Sequence, residues 1–450
     1  MTFSARSTRR IASLVFPGVI WCFTSLAGGP ILVAPSGESA RWDGTVTLHP
    51  EGGTCGSFSN DTMVSRLEEL MDHWEGVTFN TLAIDIEAGE ITEDVNEENY
   101  ETWYVDSVAD SGLEDGLNPV VFDDNGEVVD DIFGNGNRFL VLGFAGPDSF
   151  SSDLETIRDG QAFFNCLCLE GNGDCPGGIT FTDSDLDFTM VHEIGHMLGL
   201  DHTQVNQALA DDGCDIDTDG DCDLLPTMFP VSEDPADQLT PMRDDEVALL
   251  SLYGQDGWEG SFFTVIGSLL DADGLALRCA DVQAETGEAA DMIAFVSGAS
   301  APNEDLDGDG YTDGEEECLS DCGDFTLRGL DPAKTYTITV KPIDPGWEGG
   351  SSLSPCVNGQ LIGIESEIVS SAANAAAGET LDLGVFTTIS SGGIDEGEES
   401  DDSSASLFGC SFIPARGASN GSLPAGLFLI FVFFLFFILR LMTTRHQERV

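Results

Sequence analysis

Lysine is nearly absent: only Lys334 and Lys341 occur in 450 residues, and all basic residues together number 16 against 81 acidic ones. The formal charge of −65 excludes nucleic acid or an anionic lipid surface as the main partner, and instead suits divalent cations or a salty medium. Paired CxxC sets are also missing, which weakens the case for a zinc site built on thiolates. Histidine is scarce at six, so three of them within His192–His202 stand out. A hydrophobic content of 41% over this length leaves ample material for a core, in about two or three domains.

What is present begins with His192-Glu193-Ile194-Gly195-His196-Met197-Leu198-Gly199-Leu200-Asp201-His202, an HExxHxxGxxH pattern. His192 and His196 are four apart, so on a helix both imidazoles leave one face and can share one metal ion. Gly199 can take the positive φ of a sharp turn that returns His202 as a third nitrogen ligand. Three ligands leave one zinc position open for water, and Glu193 is placed to take a proton from that water as it attacks a carbonyl. The reaction class expected is peptide hydrolysis. Short HExxH strings do arise by chance, but the xxGxxH extension argues against that here.

Both chain ends carry apolar runs with arginine beside them. Arg6, Arg9 and Arg10 precede Ile11 to Leu26, and Ser25-Leu26-Ala27 offers small residues for cleavage, so residues 1–27 read as a signal peptide. Leu423 to Leu439 is followed by Arg440, Arg445 and Arg449, which reads as a single membrane span at 423–442 with a basic cytoplasmic tail at 443–450. A buried core helix is the alternative, though the run has no polar face. Together with Gly409-Cys410-Ser411, this end resembles bacterial C-terminal sorting signals, which implies an exported protein at the cell envelope or surface whose tail is open to processing. Ten cysteines remain between the ends, an even number on each side of residue 257, and disulfides are their expected use in an oxidising compartment.

Asp305, Asp307, Asp309, Asp313 and Glu316 take positions 1, 3, 5, 9 and 12 of an EF-hand-type loop, with the Tyr311 carbonyl at 7 and Gly310 at the turn. A structural Ca²⁺ is expected there, against a plain solvated acidic turn as the alternative. No long helices flank the loop, and Cys318 and Cys322 follow it, so it resembles extracellular thrombospondin-type repeats. Asp215, Asp217, Asp219 and Asp221 begin a second such loop, but Pro226 stands where the twelfth-position glutamate belongs.

Coarse periodicity predicts strands at Val46–His49, Thr81–Ile86 and Phe139–Phe144. It predicts helices over Asp61–Trp74, capped by Asp61, over Asp187–Leu200 and over Arg243–Tyr253. That order suggests an α+β domain. With the zinc motif, Thr227-Met228-Phe229-Pro230 resembles the Met-turn of metzincins, Leu239 to Gly254 resembles the last helix of matrixins, and Asp201 after the motif's Leu200 is similar to matrixins too. The likeness covers about Arg41 to Gly254. It implies a twisted mixed sheet with an active-site helix, zinc on His192, His196 and His202, Glu193 as base, and Met228 beneath the metal. Phe229 and Pro230 would border the pocket for the substrate side chain after the scissile bond. The chain departs from matrixins in lacking a cysteine-switch propeptide and the extra histidines of a structural zinc, with Asp131 where one of them would stand.

From Phe262 to Thr388 short apolar stretches at Phe263–Leu270, Met292–Val296, Asp324–Leu327 and Thr335–Val340 predict a β-sandwich, similar to carboxypeptidase-regulatory-like domains. The organisation expected is therefore a signal at 1–27, a matrixin-like peptidase domain at 28–257, an all-β sandwich with the inserted calcium loop at 258–389, and an acidic Ser/Gly-rich stalk at 390–422, followed by the anchor. The function expected is a membrane-tethered zinc endopeptidase acting on proteins or peptides, with no nucleic-acid partner. The competing class is a calcium-dependent surface binding or adhesion protein with a non-catalytic zinc site.

Overall fold

The fold is taken from a computed structural model that describes residues 29–34, 36–104, 116–169, 175, 180–203, 205–206, 224–232, 235–271, 274–278, 280–298, 323–342, 366–388 and 409–412. The expected signal peptide, both calcium loops and the span at 423–442 lie outside these residues. Among the described residues, no helix is long and apolar enough to cross a membrane.

A seven-stranded mixed sheet organises the first half. It is built from β1 (Arg41–Trp42), β2 (Val46–Pro50), β3 (Ile84–Ile86), β4 (Pro119–Asp123), β5 (Val141–Phe150), β6 (Thr156–Asn165) and a late strand, β14 (Gly409–Phe412). The order is β14-β5-β6-β4-β2-β3, with β1 beside β6. Strands β1, β2, β3, β4 and β6 run parallel, whereas β5 runs antiparallel to β6 and β14 antiparallel to β5. Every residue of β4 and β5 is buried, as expected of strands covered on both faces. Residues 409–412, expected in a stalk, are thus part of the sheet.

Among the described residues, four α-helices accompany the sheet: α1 (Asn60–Glu75), α2 (Glu127–Phe133), α3 (Asp183–Met197) and α4 (Arg243–Tyr253). The cap of α1 is Ser59, whose hydroxyl accepts from the Thr62 amide, and not Asp61, which lies in the first turn. The active-site helix starts four residues earlier than periodicity suggested, because Thr182 and Asp185 form a reciprocal capping box there. It ends at Met197, since Gly199 at φ 90° cannot continue it. The strand expected from Thr81 starts only at Ile84; the Thr81 amide bonds to Tyr253 O and the Leu82 amide to the Asn80 side chain.

One face of the sheet carries a core of Val121, Val128, Val129, Ile132, Phe144 and Phe163, with Tyr100, Trp103 and Tyr104 packed against it. Phe144 and Phe163 stack with centroids 4.9 Å apart. Cys55–Cys166 ties the approach to α1 to the end of β6 across a separation of 111 residues, and Cys168–Cys175 closes a short loop nearby. Closing the longer loop restricts the unfolded chain by roughly 4–5 kcal/mol in the chain-entropy account. The other expected cysteine pairs lie outside the described residues.

The second half forms two sheets: β7 (Phe263–Leu270), β8 (Ala280–Glu285), β9 (Ile293–Val296), β10 (Asp324–Leu330), β11 (Tyr336–Pro342), β12 (Glu367–Ala373) and β13 (Thr380–Thr387). Their orders are β10-β7-β13 and β12-β11-β8-β9, and Phe263 of one meets Tyr336 of the other at 5.9 Å between ring centroids. This all-β part is docked on α4. The Asp244 carboxylate accepts from Ala294 N at 2.7 Å, the Arg243 guanidinium bonds to Gly329 O, and it also lies over the Phe262 ring at 4.4 Å.

Candidate metal centre and active site

Helix α3 presents His192 and His196 from one turn to the next, and both are fully buried. After the helix, Gly199 N bonds to His196 O and Leu200 N to Gly195 O, a double closure that turns the chain back and delivers His202. The three Nε2 atoms form a near-equilateral triangle: 2.9 Å between His192 and His202, 3.1 Å between His192 and His196, and 2.9 Å between His196 and His202. Among the described residues this is the one cluster of three or more metal-ligating side chains.

The tautomers are set from behind. His192 Nδ1 donates to Thr227 O at 2.7 Å and His196 Nδ1 to Leu200 O at 2.9 Å, so in the neutral rings each Nε2 carries a lone pair directed inward. Burial pushes His192 down to about 4, and pushes His196 and His202 well below the usual histidine range, with the neighbouring imidazoles adding to the effect. Lone pairs converging at this spacing repel unless a cation lies between them. Nitrogens about 2.0–2.1 Å from one tetrahedral zinc would stand roughly 3.3 Å apart, so the triangle fits zinc with a small expansion.

Glu193, also buried, follows the first histidine and lies toward β5. A Cβ at Gly143 of β5 would come within 3.2 Å of Glu193 Cγ and 2.8 Å of Thr189 Cγ2, so only glycine lets strand and helix approach this closely. Met228 is buried, and a Cβ at Gly195, between the first two histidines, would collide with its Sδ and stand 2.9 Å from Trp74 Cζ2. Met228 O accepts from Thr203 N at 3.0 Å, joining this turn to the residue after the third histidine. Phe229 and Pro230 follow in buried positions.

Residues 73–217 match the protein-family model described as Matrixin. The chain carries a matrixin-like metzincin domain. With the family match and the histidine triad together, this matrixin-like chain is a zinc metalloendopeptidase of the metzincin type. No curated protein matches it.

The matrixin-like site also rests on a residue whose role sequence reasoning missed. Asp245 of α4 accepts from Thr227 N at 2.8 Å, Met228 N at 3.0 Å and Met242 N at 2.8 Å, so one carboxylate holds the turn that in turn orients His192. At the third helical position its carboxylate reaches back to the Met242 amide, a local task at the helix start that gives no sign of the second one. Tyr253 acts at the other end of α4, donating to Leu198 O at 2.5 Å just before the turn at Gly199. At Asp131 the structure shows an exposed helical residue, while neighbouring Asp130 is taken up by the amides of Gly136 and Arg138.

The junction of α4 with the all-β part makes stability pH-dependent. Burial pushes Asp244 up to about 8 from an ordinary 3.8, against hydrogen bonds from Thr203 and Ala294, with Asp245 and Asp281 adding repulsion. A folded-state value above the unfolded one means that the native chain keeps a proton the unfolded chain gives up. Stability from this group is therefore fully present below about pH 4 and is lost as pH rises toward about 8. Asp244→Asn should flatten that part of the profile. Denaturant midpoints measured from pH 5 to 9 check it: a smaller decline in the variant is expected, and identical slopes would show that Asp244 is not the group responsible.

Proposed function

We propose that this chain is an exported, membrane-tethered zinc endopeptidase with Glu193 as its general base. The observation that carries the reading is the triangle of inward Nε2 atoms with their Nδ1 atoms anchored on carbonyls and a buried carboxylate one residue from the first ligand. Zinc held by His192, His196 and His202 would supply Lewis acidity toward water and the substrate carbonyl. Glu193 takes a proton from the attacking water and returns one to the leaving amine. An extended peptide would lie along β5, whose Gly143 packs on Glu193, and Phe229 and Pro230 would border the pocket for the side chain beyond the scissile bond. The test is cleavage of an unfolded casein-type protein by the purified chain, abolished by a chelator and restored by one equivalent of zinc. Zinc binding without any cleavage, both in the full chain and in a chain ending at Ser406, would leave only the surface-binding reading.

Tethering and calcium complete the proposal and rest on sequence alone. The basic-flanked apolar run at 423–442 supports an anchor with everything from Gly28 to about Ser422 outside the cytoplasm. Asp305, Asp307, Asp309, Asp313 and Glu316 would repel one another unless neutralised, which supports a structural Ca²⁺ with the Tyr311 carbonyl as a further ligand. Calcium should then stabilise the chain, by about 2.7 kcal/mol at a free concentration a hundredfold above the dissociation constant. A thermal transition of the full chain that responds neither to calcium nor to a calcium-selective chelator would count against that site.

A further inference from the structure

We propose that Gly409–Phe412 is a built-in inhibitory strand, which occupies the edge of β5 where a substrate peptide must lie. Strand β5 has two edges. One is paired with β6, where Gly143 faces Phe164 and Phe144 faces Phe163. On the other edge stands β14, antiparallel, with Gly409 opposite Ala145, Cys410 opposite Phe144 and Ser411 opposite Gly143. That register brings the segment to the place on β5 that touches the base, because Gly143 is the residue packed on Glu193. Neighbouring strands stand about 4.8 Å apart, so a chain paired with Gly143 passes close to the helix that bears Glu193, and β14 does run against α3.

A strand edge offers one row of N–H and C=O groups, and an extended peptide recognises it by completing that ladder. Two chains cannot use the same row. The segment also comes from far along the sequence, after the all-β part, so its place in this sheet is not a consequence of local chain continuity. The stretch before it in the sequence, Ser390 to Ser406, is rich in Ser, Gly, Asp and Glu. Latency would then reside at the C-terminal end. Processing of the C-terminal region would free the edge.

The inference rests on the hydrolytic reading of the metal centre, and the experiment separates the two. The full chain is compared with the full chain carrying Cys410→Pro and Ser411→Pro. Of two adjacent strand residues one N–H faces the neighbour, so the pair of prolines removes it in either phase of the ladder. A chain ending at Ser406 serves as the second variant should the proline pair perturb folding. Two readouts are taken: amide hydrogen exchange across Val141–Gly146, and the rate on a short fluorogenic peptide. The expected result is faster exchange at Gly143–Ala145 in both variants together with a rate at least about tenfold higher, as for an edge closed nine-tenths of the time. A peptide of residues 405–416 added to the variants should restore inhibition competitively. Unchanged exchange overturns the proposal, as does faster exchange with no gain in rate in an active enzyme. Faster exchange with no hydrolysis in any chain upholds the docking and places the failure in the hydrolytic reading.

Discussion

Glu193→Gln should retain zinc at the wild-type stoichiometry and lose peptide hydrolysis by at least about a hundredfold. The substitution keeps the volume that packs on Gly143, so the close approach of α3 and β5 survives and only the proton acceptor is removed. Of the two buried carboxylates within the motif, Glu193 directly follows the first histidine, whereas Asp201 is engaged with the His202 amide at 3.0 Å. Rates measured together with metal content decide the matter. A variant that keeps both zinc and full activity would move the base to another residue.

His202→Ala should lower zinc affinity by more than about a hundredfold and take the activity with it, since outer partners of metal ligands alone are worth about 10–100-fold. The effect belongs to coordination and not to folding, because the turn that delivers His202 is held by backbone bonds from Gly199, Leu200 and Thr203. A native-like circular dichroism spectrum with loss of zinc in competition titration is the expected pair of results. Unchanged zinc affinity would place the third ligand elsewhere.

The zinc ligands were legible in the sequence because their placement is local: four residues make one helical turn, and a glycine three residues later permits the reversal. Met228 was legible only through the resemblance to metzincins, since nothing in its own spacing shows that it would press against Gly195. Asp245 was read as part of a helix start, and its second task required knowing that the turn at Thr227 and Met228 folds onto α4. Strand β6 was missed because Asp159, Gly160 and Gln161 interrupt its apolar pattern; in the fold this stretch is buried, with the Gly160 amide on the Asn118 side chain. Residues 409–412 were read as stalk by composition, and their pairing with β5 is a contact between distant parts of the chain that no window of sequence could reveal. The sandwich strands β7, β9, β10 and β11 were recognised from their apolar runs. Strands β8, β12 and β13, mixed with Asp, Gln, Ser and Glu, were not.

The central claim is that one zinc ion is held by His192, His196 and His202. Crystals of the chain grown with one equivalent of zinc and measured above and below the zinc absorption edge test it most directly. The account predicts a single strong anomalous peak about 2.0–2.1 Å from all three Nε2 atoms. A peak held by other residues, or none at the triangle while zinc is bound in solution, would contradict it.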